Sequence, residues 1–224
     1  MSDAPKTIDP AVRYSRQKEL VPAQRLATCT ITIVGVGAIG RQIALQLAAM
    51  GAPSLQLVDF DVVDESNLAS QGYLQDDLGR FKIDATADQC MAINHQLAVT
   101  TANERFRRSM DIGNVLFVAV DRIEIRQLIW NSVKDRVSVF IDTRMSAEVV
   151  RVLTAADEAG RQHYPSTLFT AEEAHVGSCT AKSTIYTANI AAGLAIGQFT
   201  KWLRNLPVDR DISLNILTNE MDVG

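Results

Sequence analysis

The chain has 224 residues, of which 47% are hydrophobic and 21% charged, with a net charge of −4. This length suits one globular domain with a substantial core. The small negative charge excludes a broad electrostatic attraction to nucleic acid or to an anionic membrane. The N-terminus is polar (Asp3, Lys6 and Asp9) where a signal peptide would need an apolar run, so we expect a cytoplasmic protein without a nucleic-acid or membrane partner.

Strand and helix alternate along the first half of the chain. The β-branched run 28–37 predicts a buried strand and its turn, and the helix formers of 38–52 predict a helix that stops at Gly51. Further strands are predicted at 54–61, 98–106, 115–120 and 137–142, and further helices at 82–97 and 122–134. This alternation predicts an α/β fold with a doubly wound, Rossmann-like, mainly parallel sheet and helices on both faces.

The second half is less regular. Residues 140–155 predict a strand, a polar turn and a second strand, followed by an irregular stretch to residue 178. A long apolar helix is predicted at 187–203 and a terminal strand at 211–221. The longest apolar run, 185–199, is interrupted by polar residues and is too short to cross a bilayer comfortably.

A glycine-rich turn separates the first strand from the first helix. The sequence "GVGAIG" (35–40) needs glycine for a tight turn, for close backbone approach and for packing of helix on strand. The N–H groups of this turn can donate hydrogen bonds to a phosphate at the helix N-terminus. Asp59, after the second strand, lies where a carboxylate would bind a ribose. The predicted nucleotide-binding residues of this turn are Gly35, Gly37, Ala38, Ile39 and Gly40.

An acid-rich stretch then distinguishes this site from a nicotinamide site. "VDFDVVDESNL" (58–68) carries more carboxylates than a dehydrogenase requires. Five motifs follow one another in order: "RYSRQ" (13–17), "GVGAIG" (35–40), "DFDVVDESNL" (59–68), "GRFK" (79–82) and "VAVDR" (118–122). This ordered set resembles the ThiF/MoeB/HesA family, the adenylyltransferases related to ubiquitin-activating enzymes.

The resemblance implies a role for each matching residue in a site for ATP and magnesium. Asp59 would bind the ribose, with Asp61 beside it, and Asn67 and Lys82 would approach the phosphates. Asp121 would coordinate Mg²⁺. Asp121 also ends an apolar strand, and the carboxyl edge of a doubly wound sheet is where ligands bind. Taken singly, Asp121 is better explained as a helix N-cap and Lys82 as a solvated surface lysine, and the order of the motifs favours the site instead.

One residue departs from the family pattern. The family loop usually reads Ser-Asn-Leu-x-Arg-Gln, and here Ser70 occupies the arginine position. The resemblance implies a second phosphate-binding arginine, Arg13, supplied by the N-terminal segment of a neighbouring subunit. We expect Arg80, beside Lys82, to replace the missing loop arginine, with Arg41 and Arg16 as alternatives. We therefore interpret the loop as rearranged rather than inactive.

The family chemistry is attack by a carboxylate on the α-phosphate of ATP, which forms an acyl adenylate and pyrophosphate. The resemblance implies a homodimer and, as acceptor, a small ubiquitin-fold protein or peptide with a C-terminal glycine. It divides the single domain 1–224 into an N-terminal helical arm (1–27), an ATP-binding half (28–145) and an acceptor and dimer half (146–224).

Two further expectations concern the cysteines. The three cysteines form no C-x-x-C pair, unlike the two pairs of many relatives, so no structural zinc is expected. Cys179 precedes the apolar helix and lies near Lys182, surroundings that lower the pKa of a thiol. We expect it either to accept the activated carboxyl group as a thioester or to be a small packing residue.

Two other classes of function stay open. A nicotinamide-dependent oxidoreductase would share the glycine turn and Asp59. A non-catalytic nucleotide-binding scaffold would fit the loss of the loop arginine. The identity of the acceptor does not follow from the sequence.

Overall fold

The computed structural model describes residues 8–169 and 183–224, and eight strands of this part form one sheet. The strands are β1 (Ile31–Val34), β2 (Ser54–Asp59), β3 (Ala98–Asn103), β4 (Val115–Val118), β5 (Val139–Ser146), β6 (Val149–Ala155), β7 (Asp211–Asn215) and β8 (Glu220–Val223). Their order across the sheet is β3-β2-β1-β4-β5-β6-β7-β8. Strands β1 to β5 pair in parallel, and β5 to β8 pair antiparallel.

The described helices lie on both faces of this sheet. They are α1 (Pro10–Arg13), α2 (Ala23–Leu26), α3 (Ala38–Met50), α4 (Glu65–Gln71), α5 (Lys82–Ile93), α6 (Ile123–Val133), α7 (Glu158–His163) and α8 (Ile185–Leu203). Helices α3, α5 and α8 bury their apolar side chains in one cluster with β1, β4 and β5. On the other face, Trp130 of α6 packs against Phe140 and Tyr164 in a second cluster. The predicted doubly wound α/β fold is confirmed.

The register of the central strands creates the edge at which the site lies. All residues of β1 and β4 are buried, as expected for strands covered on both faces. Val34 of β1 is aligned with Val58 of β2 and with Val118 of β4. These three parallel strands therefore end at the same level, and the turns that follow them are neighbours.

Two local predictions in the first half were wrong in detail. Helix α5 ends at Ile93 rather than at residue 97, because Asn94 is extended and its side chain accepts the N–H of Gln96 at 3.2 Å. Strand β3 ends at Asn103 rather than at residue 106.

The second half contains two antiparallel hairpins. Strand β5 extends to Ser146, and the turn to β6 has Ala147 at φ +51°. The terminal segment predicted as one strand is the hairpin of β7 and β8. The prediction of irregular structure was wrong for α7, which begins where the Asp157 carboxylate accepts the Gly160 N–H at 2.7 Å. None of the described helices combines the length and the hydropathy of a membrane-spanning segment.

Candidate active site

The glycine turn packs its backbone directly against the end of β4. Gly35 has φ +89°, and a Cβ added there would lie 2.6 Å from the Ala119 carbonyl oxygen. At Gly40, an added Cβ would overlap the carbonyl oxygen of Gly35. Both positions therefore require glycine for close approach. Gly37 precedes α3, so the N–H groups of the first helical turn, including those of Ala38 and Ile39, point out of the helix and lack intrahelical partners.

Asp59, the last residue of β2, contacts this turn. Its Oδ2 accepts the N–H of Val36 at 2.6 Å, and its Oδ1 accepts the N–H of Asp61 at 2.9 Å. The carboxylate is thus held by two backbone donors, and each oxygen retains a lone pair for a further donor such as a ribose hydroxyl. Its proposed contact with the ribose stays a prediction.

Lys82 is buried and paired. Its side chain is 8% exposed, and its Nζ lies 3.3 Å from Oδ2 of Asp61, whose side chain is 50% exposed. The Lys82 N–H also donates to the Asp61 carbonyl at 2.9 Å. The interpretation of Lys82 as a solvated surface lysine is therefore wrong. A buried ammonium whose carboxylate partner faces solvent can exchange that partner for a phosphate.

Asn67 and Ser70 belong to the short helix α4. The Asn67 Oδ1 accepts the N–H of Asp64 at 3.3 Å, and its Nδ2 donates to the Ser66 hydroxyl at 3.2 Å. Asn67 is buried and completes a capping box at the start of the helix. The Ser70 hydroxyl donates back to the Ser66 carbonyl at 2.9 Å. Ser70 supplies no charge here, and phosphate binding by Asn67 stays a prediction.

The arginines proposed to compensate for Ser70 lie in different surroundings. Arg80 is 40% exposed and pairs with Asp77 at 3.0 Å and with Asp88 at 2.5 Å. Arg41 is buried, and its guanidinium stacks 4.7 Å from the ring centroid of Tyr73. Burial lowers the pKa of Arg41. Arg80 is therefore the more accessible of the two for a ligand.

Arg13 contacts the end of α5. The Arg13 side chain donates to the Ile93 carbonyl oxygen at 2.5 Å and lies over the ring of Tyr14. Arg16 is exposed in the turn that follows α1. In this structure Arg13 contacts its own chain, and its role in a partner's site stays a prediction.

Asp121 is exposed three residues beyond the end of β4. Helix α6 begins at Ile123 with Arg122 as its N-cap residue, so the alternative interpretation of Asp121 as a helix N-cap is wrong. In the described ranges, no three His, Cys, Asp or Glu side chains cluster as a metal site. An exposed carboxylate at this edge nevertheless fits Mg²⁺, which needs only one or two carboxylates when it is bound to phosphates.

A buried ionic cluster behind Asp121 was missed by the sequence analysis. Arg126 of α6 pairs with the fully buried Asp142 of β5 and donates to the carbonyl of Val120. Arg144 Nε and the Tyr164 hydroxyl each donate to Asp142 Oδ2 at 2.9 Å. Burial, and then the nearby Arg144 guanidinium, lower the pKa of Arg126 to about 9. The ion pair with Asp142 compensates the buried charge. This cluster supports the backbone immediately before Asp121.

The cysteines are only partly described. Cys29 and Cys90 are buried, and burial raises the pKa of Cys90 to about 12, so both are unreactive thiols. Cys179 and Lys182 lie outside the described residues. The structure therefore joins Asp59 to the glycine turn, pairs Asp61 with Lys82, and places Asp121 after the neighbouring strand β4 at the same edge. It leaves the thioester prediction open.

Comparison with known proteins settles the family. The ThiF family model matches residues 14–221, which is nearly the whole chain. The chain belongs to the ThiF family. This membership confirms the resemblance that the five motifs indicated.

Individual ThiF relatives match over shorter segments. The probable adenylyltransferase/sulfurtransferase MoeZ of Mycobacterium tuberculosis is 36% identical over 105 residues, which cover 41% of this chain and 26% of MoeZ. The adenylyltransferase and sulfurtransferase MOCS3 of Sus scrofa is 52% identical over 68 residues, which cover 28% of this chain and 15% of MOCS3. The chain thus matches about a quarter or less of the length of these curated relatives.

Solved structures share the ThiF fold over almost the entire chain. PaaA aligns with a TM-score of 0.80 at 21% identity, over 100% of this chain and 77% of PaaA. MccB of E. coli in complex with ATP aligns with a TM-score of 0.74 at 16% identity, over 95% of this chain and 70% of MccB. At these identities the likeness shows the fold alone.

Proposed function

We propose that this ThiF-family chain is an ATP- and Mg²⁺-dependent adenylyltransferase that activates the C-terminal carboxylate of a small ubiquitin-fold protein or a peptide. The observation that carries the proposal is the convergence of the glycine turn, Asp59, Lys82 and Asp121 at one edge of the sheet. A dehydrogenase site explains the first two, but it needs neither the buried lysine nor the exposed carboxylate after β4.

ATP is the substrate in this proposal, and each residue has a physical role. The N–H groups at the start of α3 bind phosphate oxygens, and Asp59 accepts a ribose hydroxyl. Lys82 leaves Asp61 to neutralise charge at the α-phosphate. Asp121 would hold Mg²⁺, which neutralises phosphate charge when bound. The names of MoeZ and MOCS3, both called adenylyltransferases, and the ATP complex of MccB support the same nucleotide.

The proposed reaction is an in-line displacement at phosphorus. A carboxylate oxygen of the acceptor forms a bond to the α-phosphorus, and the bond from that phosphorus to the oxygen bridging to the β-phosphate breaks. Pyrophosphate leaves, and the acceptor carries AMP as a mixed anhydride. The chain contributes alignment and charge neutralisation rather than a covalent intermediate in this step. The solved complexes of MccB with MccA support an acceptor that is a protein or a peptide.

Isotope exchange tests this function. Labelled pyrophosphate should enter ATP only in the presence of an acceptor with a free C-terminal carboxylate, and the same acceptor amidated at its C-terminus should give none. We expect Lys82→Ala to lower the exchange rate by roughly a hundredfold or more. Lys201→Ala is the control, because Lys201 of α8 makes a lysine–aspartate pair with Asp209, which follows the helix. ATP binding without exchange for any ubiquitin-fold protein or peptide tested would favour the non-catalytic scaffold.

We also propose a homodimer in which Arg13 reaches the nucleotide of the partner subunit. Helix α8 leaves the apolar side chains of Tyr186 and Ile190 at 45% and 36% exposure, which supports an interface on this acceptor and dimer half. Mixing Arg13→Ala chains with Asp121→Ala chains should restore part of the activity, because a mixed dimer contains one intact site. A monomer by sedimentation that still catalyses exchange would contradict the dimer.

A further inference from the structure

A buried tyrosine connects the glycine turn to the helix that carries Lys82. Tyr73 follows α4 and is 4% exposed. Its hydroxyl donates to the Val36 carbonyl oxygen at 2.6 Å and lies 3.2 Å from the Thr86 hydroxyl of α5. Burial raises the pKa of Tyr73, so the hydroxyl stays protonated and able to donate. One side chain thereby bridges two elements of the nucleotide site.

The contact with Val36 determines where the next N–H group points. The Val36 carbonyl and the Gly37 N–H belong to the same planar trans peptide unit, so they point in opposite directions. Asp59 holds the other side of Val36, whose N–H donates to Asp59 Oδ2 at 2.6 Å. With the Val36 carbonyl bonded to the buried Tyr73 hydroxyl, the Gly37 N–H is directed away from the core, at the start of α3.

The ring of Tyr73 is held independently of its hydroxyl. The Arg41 guanidinium lies 4.7 Å from the ring centroid, and Arg41 is itself buried. The ring also packs with Val63 and Ala85 in a small apolar cluster. A phenylalanine at this position can therefore keep the ring packing and lose only the hydrogen bonds.

We propose that Tyr73 is a positioning residue that orients the Gly37 N–H toward the phosphate of the bound nucleotide. The inference rests on the proposed function, because it assumes that a nucleotide phosphate lies at the start of α3. Tyr73 does not touch the substrate. It acts through the Val36–Gly37 peptide, whose orientation decides whether the turn presents a donor to the phosphate.

The test compares AMP with adenosine on the Tyr73→Phe protein in the absence of metal. These two ligands differ only in the phosphate, and without metal Asp121 has no part in the difference. We expect the affinity for AMP to fall about three- to tenfold, the effect of one misaligned hydrogen bond to a charged group, and the affinity for adenosine to stay unchanged. Calorimetric titration measures both.

Thr32→Val is the control. Thr32 of β1 is fully buried, and its hydroxyl donates to Gln56 Oε1 at 2.7 Å, away from the glycine turn. This variant also loses a buried hydroxyl, but both of its nucleotide affinities should stay as in the unmodified protein. Equal losses of AMP and adenosine affinity in Tyr73→Phe would make Tyr73 a merely structural residue, and no loss of either would also overturn the inference. Failure of the unmodified protein to bind AMP or ATP would instead overturn the proposed function, and the inference with it.

Discussion

Replacing Gly35 with alanine should destabilise the protein through the contact between the glycine turn and β4. The φ of +89° costs an L-residue about 1–2 kcal/mol. The added Cβ would lie 2.6 Å from the Ala119 oxygen and 3.0 Å from the Val120 nitrogen, and relieving such overpacking costs about 1–3 kcal/mol more. We therefore expect Gly35→Ala to lower the free energy of unfolding by roughly 2–5 kcal/mol.

A second glycine provides the control for this experiment. Gly193 lies inside α8, and an added Cβ there meets no heavy atom within 4 Å. Gly193→Ala should raise the free energy of unfolding by about 0.5–1 kcal/mol, because alanine favours a helix interior. Denaturant titration measures both variants, and a loss of about 3 kcal/mol also lowers the Tm by about 6–12 °C for a domain of this size.

Nucleotide affinity provides the second measurement on the same variants. Relief of the Gly35 clash must move the backbone of 119–120, which directly precedes Asp121, so affinity for ATP with Mg²⁺ should fall in Gly35→Ala and persist in Gly193→Ala. A Gly35→Ala protein with unchanged stability and unchanged ATP affinity would refute the reasoning that this turn requires glycine for close approach to β4.

Three further predictions concern other parts of the chain. Arg80→Ala should lower the pyrophosphate exchange rate and leave ATP binding nearly intact. If Arg80→Ala has no effect and Ser70→Arg raises the exchange rate, the loop has decayed. With ATP and an acceptor, Cys179→Ala should form the adenylate without a thiol-sensitive conjugate on a non-reducing gel, and an unchanged conjugate would make Cys179 a packing residue. Hydrogen bonds from Arg151 hold the pKa of Asp211 below its usual range. Asp211→Asn should therefore lower the free energy of unfolding by about 0.5–1 kcal/mol at neutral pH. In urea titrations, the difference between the two proteins should disappear as the pH falls below about 4 and through the lower pKa of Asp211 in the folded state. A difference that persists in strong acid would contradict this prediction.

Local patterns were sufficient to predict the sheet and the approximate place of the site. The continuous apolar run at 115–120 predicted a strand buried on both faces, and the glycine turn after β1 predicted the helix that follows it. The carboxyl ends of parallel strands lie at one edge of the sheet, so the sequence placed Asp59 and Asp121 at the same edge. The order of the five motifs indicated the family, and the match of the ThiF family model confirms that resemblance.

Long-range side-chain pairs could not be predicted from the sequence. Nothing in the residues near Arg126 indicates that its partner is Asp142, because the two meet only when β4 and β5 pair. The hydrogen bond from Tyr73 to the carbonyl of Val36 spans 37 positions of the chain for the same reason. Helix α7 was not predicted, because six residues are too few to show a periodic apolar pattern.

Nucleotide choice tests the central claim most directly. The Tm of the unmodified protein should rise far more with ATP and Mg²⁺ than with NAD at the same concentration, because a ligand that binds the folded state stabilises it in proportion to RT ln(1 + [L]/Kd). The magnesium-dependent part of that rise should shrink in Asp121→Ala. A larger rise with NAD that is independent of magnesium and unchanged in Asp121→Ala would contradict the account and identify the site as that of an oxidoreductase.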